Sequence, residues 1–108
     1  MKGLYIVVFV TCSTEKETKK IARTLVGKKL AACVNIIPKI SSLYWWQGKI
    51  ESSKELLLVI KTKKTHLKKL IKEVKAIHIY TVPEIIALPI IEGNRDYLNW
   101  IDNSIKGS

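Results

Sequence analysis

The chain has 108 residues, 47% of them apolar and only three of them proline. That is room for a single domain over residues 1–108 with one modest core, and it excludes a disordered chain. No apolar run approaches the ~20 residues that a membrane span requires.

Nineteen Lys and Arg against nine Asp and Glu give a net charge of +10, which raises nucleic acid or an acidic membrane surface as partners. Arginine, however, occurs only at Arg23 and Arg95, and base reading leans on arginine. The lysines therefore read as solvated surface, and neither nucleic acid nor membrane is an expected partner. Lys2 followed by Leu4 to Val10 resembles a secretory leader, but the run is short, Thr11 is a poor cleavage residue, and the same residues are needed as a core strand. Cys12 and Cys33 form no close-spaced motif and are expected as free thiols in a cytoplasmic chain.

Leu4 to Thr11 (LYIVVFVT) is nearly continuous in apolar residues, as suits a central strand buried on both faces. Thr14 and Glu17 make a capping box that opens a first helix, with Ile21, Ala22, Leu25 and Val26 on one face and Gly27 as its expected terminator. Leu30 to Lys63 reads as one long β-hairpin turning at Gln47-Gly48, with Gly48 free to take positive φ. Pro38 marks an edge, a bend or a bulge in the first arm. Thr65 is the expected cap of a second helix, whose Leu67, Leu70, Ile71, Val74 and Ile77 repeat at helical spacing. Ile79 to Pro83 is a connector, and Glu84 to Ile91 is a fourth strand that Pro89 pushes to a sheet edge. Gly93 breaks it, and Asn94 caps a last helix with Tyr97, Leu98, Trp100 and Ile101 on its apolar side.

The order is β-α-β-β-α-β plus a terminal helix, an α+β ferredoxin-like sandwich. Right-handed crossovers put both long helices on one face of a four-stranded antiparallel sheet and leave the other face bare. The hairpin arms, about 15 residues each, reach roughly 50 Å. Helices of ~11 to 13 residues cover ~17 to 20 Å. More than half of the hairpin projects past its helices with Tyr44, Trp45, Trp46 and Ile50. An uncovered two-stranded ribbon is marginal in water, so these four residues are expected to pack against sister copies in an oligomer. Stacking of the aromatic cluster on bases is the lesser explanation.

No spacing supports an enzyme. The five glycines are scattered, with no phosphate-cradling loop, and histidine occurs only at His66 and His78. One constellation has chemistry available. Cys12 lies just before a helix start, where a thiol's pKa can fall, and His78 and Glu84 flank the connector. Thiolate, imidazole and carboxylate together suit copper or zinc. Structural roles are open to the same residues: Cys12 as a small buried hydrophobe, His78 as a cap on the second helix, Glu84 holding a backbone group or pairing with a lysine.

The segments LAACVNIIP, SLYWWQGKIE, HIYTVPEI and DYLNWI, in this order along nearly the whole chain, resemble the CutA family of divalent-cation tolerance proteins. The resemblance implies a ferredoxin-like protomer in a tight homotrimer similar to the PII signalling proteins, with long hairpins completing one another's sheets. It further implies a cytoplasmic, non-enzymatic role in tolerance of copper and other divalent metal ions. By position, the family's metal ligands fall on Cys12 and His78, with Glu84 as third candidate. A second histidine frequent in the family is here Ile77. The alternative function is a PII-like signalling or scaffold trimer that binds an anionic small molecule in subunit clefts near the lysines.

Overall fold

A computed structural model describes residues 4–107 of the chain. Lys2, which opens the leader-like pattern, lies outside them. Strand β1 (Tyr5–Cys12) leads to helix α1 (Glu15–Gly27) and then to the hairpin arms β2 (Cys33–Trp46) and β3 (Lys49–Lys63). A 3₁₀ turn, Lys64–His66, precedes α2 (Leu67–Ile77), and β4 (Ile85–Pro89) and α3 (Arg95–Ser104) follow. The sheet runs β2-β3-β1-β4, antiparallel throughout. This is the expected ferredoxin-like order with its terminal helix.

The core lies between the sheet and the α1–α2 pair. Ile6, Val8, Val10 and Cys12 of β1 meet Leu58 and Ile60 of β3, Ile21 and Leu25 of α1, and Leu70 and Val74 of α2. Every second strand residue and every third or fourth helix residue thus points into one apolar layer. Ile77, the last residue of α2, packs against this layer as a partly buried hydrophobe.

Helix α1 starts as its capping box dictates, with the Glu17 N–H donating to Thr14 Oγ1 at 3.2 Å. Gly27 is its last residue, but the left-handed closing position falls two residues later. Lys29 takes the left-handed conformation (φ +57°). The Leu30 N–H reaches back to the Leu25 carbonyl at 2.9 Å, and the Lys29 N–H to that of Val26 at 3.0 Å. These are the two bonds of a Schellman ending. Leu30 and Leu25 are both in the core, and their contact places the turn where a lysine must carry the positive φ. At α2 the side-chain cap expected at Thr65 is absent: Thr65 Oγ1 is 3.0 Å from His66 Nδ1. The Leu67 N–H is satisfied by the Lys64 carbonyl through the 3₁₀ turn, which removes the need for a cap.

The hairpin turns through Gln47 (φ +51°) and Gly48 (φ +78°), both left-handed, as the twist of the arms requires. Pro38 and Lys39 (φ +60°) form a bulge on this edge strand, and pairing passes from Ile37 opposite Leu57 to Ile40 opposite Glu55. The extra residue reverses the alternation of β2. Val34 and Ile36 lie on the helix side with Ile60 and Leu58, whereas Ile40, Ser42, Tyr44 and Trp46 lie on the opposite side with Glu55, Ser53 and Glu51. Leu43, Trp45 and Ile50 point the other way, beyond the reach of the helices, and remain 59–75% exposed.

Two expectations need correction at the C-terminal end. Strand β4 spans five residues, Ile85–Pro89, paired with Val10 back to Ile6 of β1; Glu84 is left in the connector. The face opposite α1 and α2 is also not bare throughout. Leu98, Ile101 and Ile105 pack on Tyr5 there, so α3 covers one end. Only that stripe turns inward, and Tyr97 and Trp100 lie outside with ring centroids 5.4 Å apart.

Asp102 ties α3 down. It accepts the Tyr5 hydroxyl at 2.5 Å and pairs with Lys63 at 2.6 Å. The Lys63 contact first, and the Tyr5 hydrogen bond second, hold the Asp102 carboxyl below its usual range. Its contribution is therefore present above the unfolded pKa of ~4 and disappears as pH falls through the depressed value. Asp102→Asn is expected to cost about 1 kcal/mol at pH 7, reduced by partial exposure. Urea midpoints of the two proteins should converge in strong acid; a gap that persists there would refute the tie.

Candidate functional site

The end of β1 carries the densest chemistry. Cys12 is its last residue, the capped first turn of α1 sets Glu17 above it, and α2 ends so that His78 folds back over the strand. Ligand atoms of Cys12, Glu17 and His78 all lie within 4.8 Å of one another, and all three residues are buried. Two of the three expected ligands are thereby brought together. The third, Glu84, is not in this group and lines a neighbouring cleft. Glu17 stands where it was expected, having been read from sequence only as a backbone cap.

The partners of His78 define its tautomer. Nε2 is 2.7 Å from the Thr11 carbonyl, which only accepts, so Nε2 carries the hydrogen. Nδ1 accepts the Tyr80 N–H at 3.1 Å and is 3.4 Å from Glu17 Oε2. Glu17 also accepts the Ser13 N–H at 3.3 Å and the Ile79 N–H at 2.5 Å. One carboxylate thus joins the start of α1 to the connector that follows α2.

Burial pushes the Cys12 thiol up to about 11; a hydrogen bond with Thr18 opposes the rise, and the charges of Glu17 and Glu55 add to it. The lowering expected from a helix N-terminus is overturned, because desolvation of the thiolate outweighs it. The donor chemistry still fits a borderline-soft divalent ion: sulfur, imidazole nitrogen and carboxylate oxygen converge within one coordination sphere's reach. Holding such an ion takes the proton from Cys12 and frees Nδ1 from Tyr80.

The cleft lies on the other side of the β1 end, between the 79–84 connector and the hairpin beyond the bulge. It is open, about 700 Å³ in volume. Thr11 belongs to both places, with its carbonyl bonded to His78 and its residue lining the cleft. Tyr80 links them as well, since its N–H meets His78 and its hydroxyl donates to Glu55 Oε2 at 2.7 Å. Burial, then the Glu55 contact, raises the Tyr80 phenol well above its ordinary range. Glu55 was not singled out in the sequence, although an acid abutting the apolar run Leu56–Ile60 is a signal of a buried carboxylate with a task. Of the four residues expected at a subunit interface, Trp45 and Ile50 lie on the outer side of the hairpin. Tyr44 and Trp46 line the cleft.

Residues 6–104 match the family described as CutA1 divalent ion tolerance protein. The chain is 53% identical over 95 residues to the divalent-cation tolerance protein CutA of Thermus thermophilus, covering 88% of this chain and 92% of that one. It is 50% identical over 103 residues to the chloroplastic protein CutA 1 of Oryza sativa subsp. japonica, covering 95% of this chain. It spans 58% of that relative's length. The structure of the periplasmic divalent cation tolerance protein CutA from Archaeoglobus fulgidus superposes with a TM-score of 0.92 at 42% identity, covering 95% of this chain and 100% of that one. Sequence and architecture agree over nearly the whole length, and the chain belongs to the CutA1 family of divalent ion tolerance proteins.

Proposed function

We propose that the chain is a non-enzymatic, cytoplasmic homotrimer that binds a divalent transition metal, copper foremost, through Cys12, His78 and Glu17, in the service of divalent cation tolerance. The observation that carries this is the convergence of sulfur, nitrogen and oxygen donors within 4.8 Å at one buried point. A bound divalent ion would supply positive charge among groups whose own charges are otherwise hard to bury. Cys12 would give up its proton on binding, and Glu17 would offer a carboxylate oxygen beside the imidazole. The connector 78–80 moves aside to release Nδ1. Glu84, the ligand named by resemblance, is more apt for the cleft than for this centre.

The trimer reading rests on surface. The chain exposes 7304 Å², against about 6,100 Å² for a compact folded monomer of its mass. Its long axis is 44 Å against 25 and 23 Å, and the excess belongs to the hairpin. The cytoplasmic assignment rests on the two free thiols. The anionic-ligand alternative has no support in the cleft, where no lysine or arginine is a lining residue.

Copper titration of the assembled protein tests the centre. Cys12→Ser and His78→Ala should each weaken binding by more than the ~10–100-fold typical of an outer-shell partner. Affinity unchanged in both would remove these ligands.

A further inference from the structure

The cleft beside the metal centre has a charge that the rest of the chain does not. Its charged lining residues are Glu51, Glu55 and Glu84, three of nine acids in a protein with nineteen basic residues. None of the three forms an ion pair with a lysine or arginine among the described residues. Glu55 is only 6% exposed. One of its oxygens takes the Tyr80 hydroxyl, and no lysine or arginine among the described residues pairs with the carboxylate. A carboxylate so deeply placed without a countercharge is costly, and a cation from outside is the natural remedy.

The remaining walls say which cation. Tyr44, Trp46 and Tyr80 line the same cleft, and Trp46 stays 49% exposed. Aromatic faces attract ammonium groups and cover their methylene stems, whereas a strongly hydrated metal ion gains little from them. We propose that this cleft binds an organic ammonium ion carrying more than one amine, an aliphatic polyamine in chemical class. One ammonium meets Glu55 at the cleft floor, and the others meet Glu51 and Glu84 while the stem lies along the rings. Cys12 is not among the lining residues, and neither is Trp45, whereas Leu43 borders the cleft at its rim. A chain of net charge +10 collects anions as non-specific counterions, so saturable uptake of a polycation reports a built site.

Calorimetric titration of the assembled protein with spermidine tests it, with magnesium chloride in parallel. The expected result is saturable binding that Cys12→Ser leaves unchanged and that Trp46→Leu and Glu55→Gln each weaken by about tenfold or more. Glu84→Gln, at an exposed connector position, keeps the test usable if Glu55→Gln fails to fold. Spermidine affinity weaker than about 1 mM overturns the proposal. So does binding that neither Trp46→Leu nor Glu84→Gln alters, or that magnesium matches at equal concentration. Loss of copper binding in Cys12→Ser with spermidine binding intact separates this site from the metal centre.

Discussion

Glu17→Ala should lower the stability of this protein by about 3 kcal/mol, a large loss for one residue on the first turn of a helix. The side chain is 6% exposed and accepts from two backbone amides at once, those of Ser13 and Ile79. Alanine leaves two backbone donors without an acceptor, and hydrogen bonds to a charged acceptor are worth about 1.5–3 kcal/mol each. Glu17→Gln keeps one carbonyl acceptor and should lose roughly half as much. Urea unfolding gives both numbers, and hydrogen exchange at the Ile79 amide reads the local opening directly. A loss below about 1 kcal/mol in Glu17→Ala would mean that the connector is held by something else. Because Glu17 is also one of the three proposed ligands, copper affinity should fall with stability in this variant even where the thiol is intact.

That double duty also explains why the site was only half legible in the sequence. Local pattern showed Glu17 three residues after Thr14 and so identified it as a cap. Nothing local reveals that a connector far along the chain delivers His78 and Ile79 to the same carboxylate. Glu84 fits the pattern of a ligand equally well by spacing. The register that pairs Ile85 with Val10 sets Glu84 beside Thr11, with which it lines the cleft, and so away from Cys12, whose side chain alternates to the other face. The Cys12 thiol was misjudged for a related reason: a helix start is visible in sequence, whereas complete burial beside two carboxylates is a property of the packed molecule.

The fold was more readable because its signals are local. The apolar run of β1, the spacing of Leu67, Leu70, Val74 and Ile77, the Gln47-Gly48 turn and the edge position of Pro38 each depend on neighbours within a few residues. Where packing competes with a local signal, packing prevails. Leu30 sets the left-handed closing residue of α1 at Lys29 instead of Gly27, and Tyr5 draws α3 onto a face expected to be bare.

If the proposed trimer forms through the outer side of the hairpin, the double variant Leu43→Glu, Trp45→Glu should convert it from three copies to one, with the fold of each copy retained. These side chains are 75% and 72% exposed and share a side of the hairpin with Ile50, which pairs directly with Trp45. Their exposure means that substitution removes little from the protomer itself, so circular dichroism should be unchanged. In the assembly the effect is large, since a buried Trp anchor is commonly worth 2 kcal/mol or more and each glutamate adds an unpaired charge to a desolvated contact. In the proposed trimer the defect would recur at every interface, which makes the expected loss steep in concentration. Light scattering reads the outcome. A mass of three copies for the natural sequence and one for the double variant is the expected pair. A single-copy mass for the natural sequence at micromolar concentration would contradict the trimer, and three copies in the double variant would move the interface off this side of the hairpin. Trp46→Leu supplies the contrast: it lies on the cleft side of the same strand, so it should leave the mass at three copies while weakening spermidine binding. One ribbon would then be shown to serve two partners from its two faces, with the bulge at Pro38–Lys39 determining which residues face each.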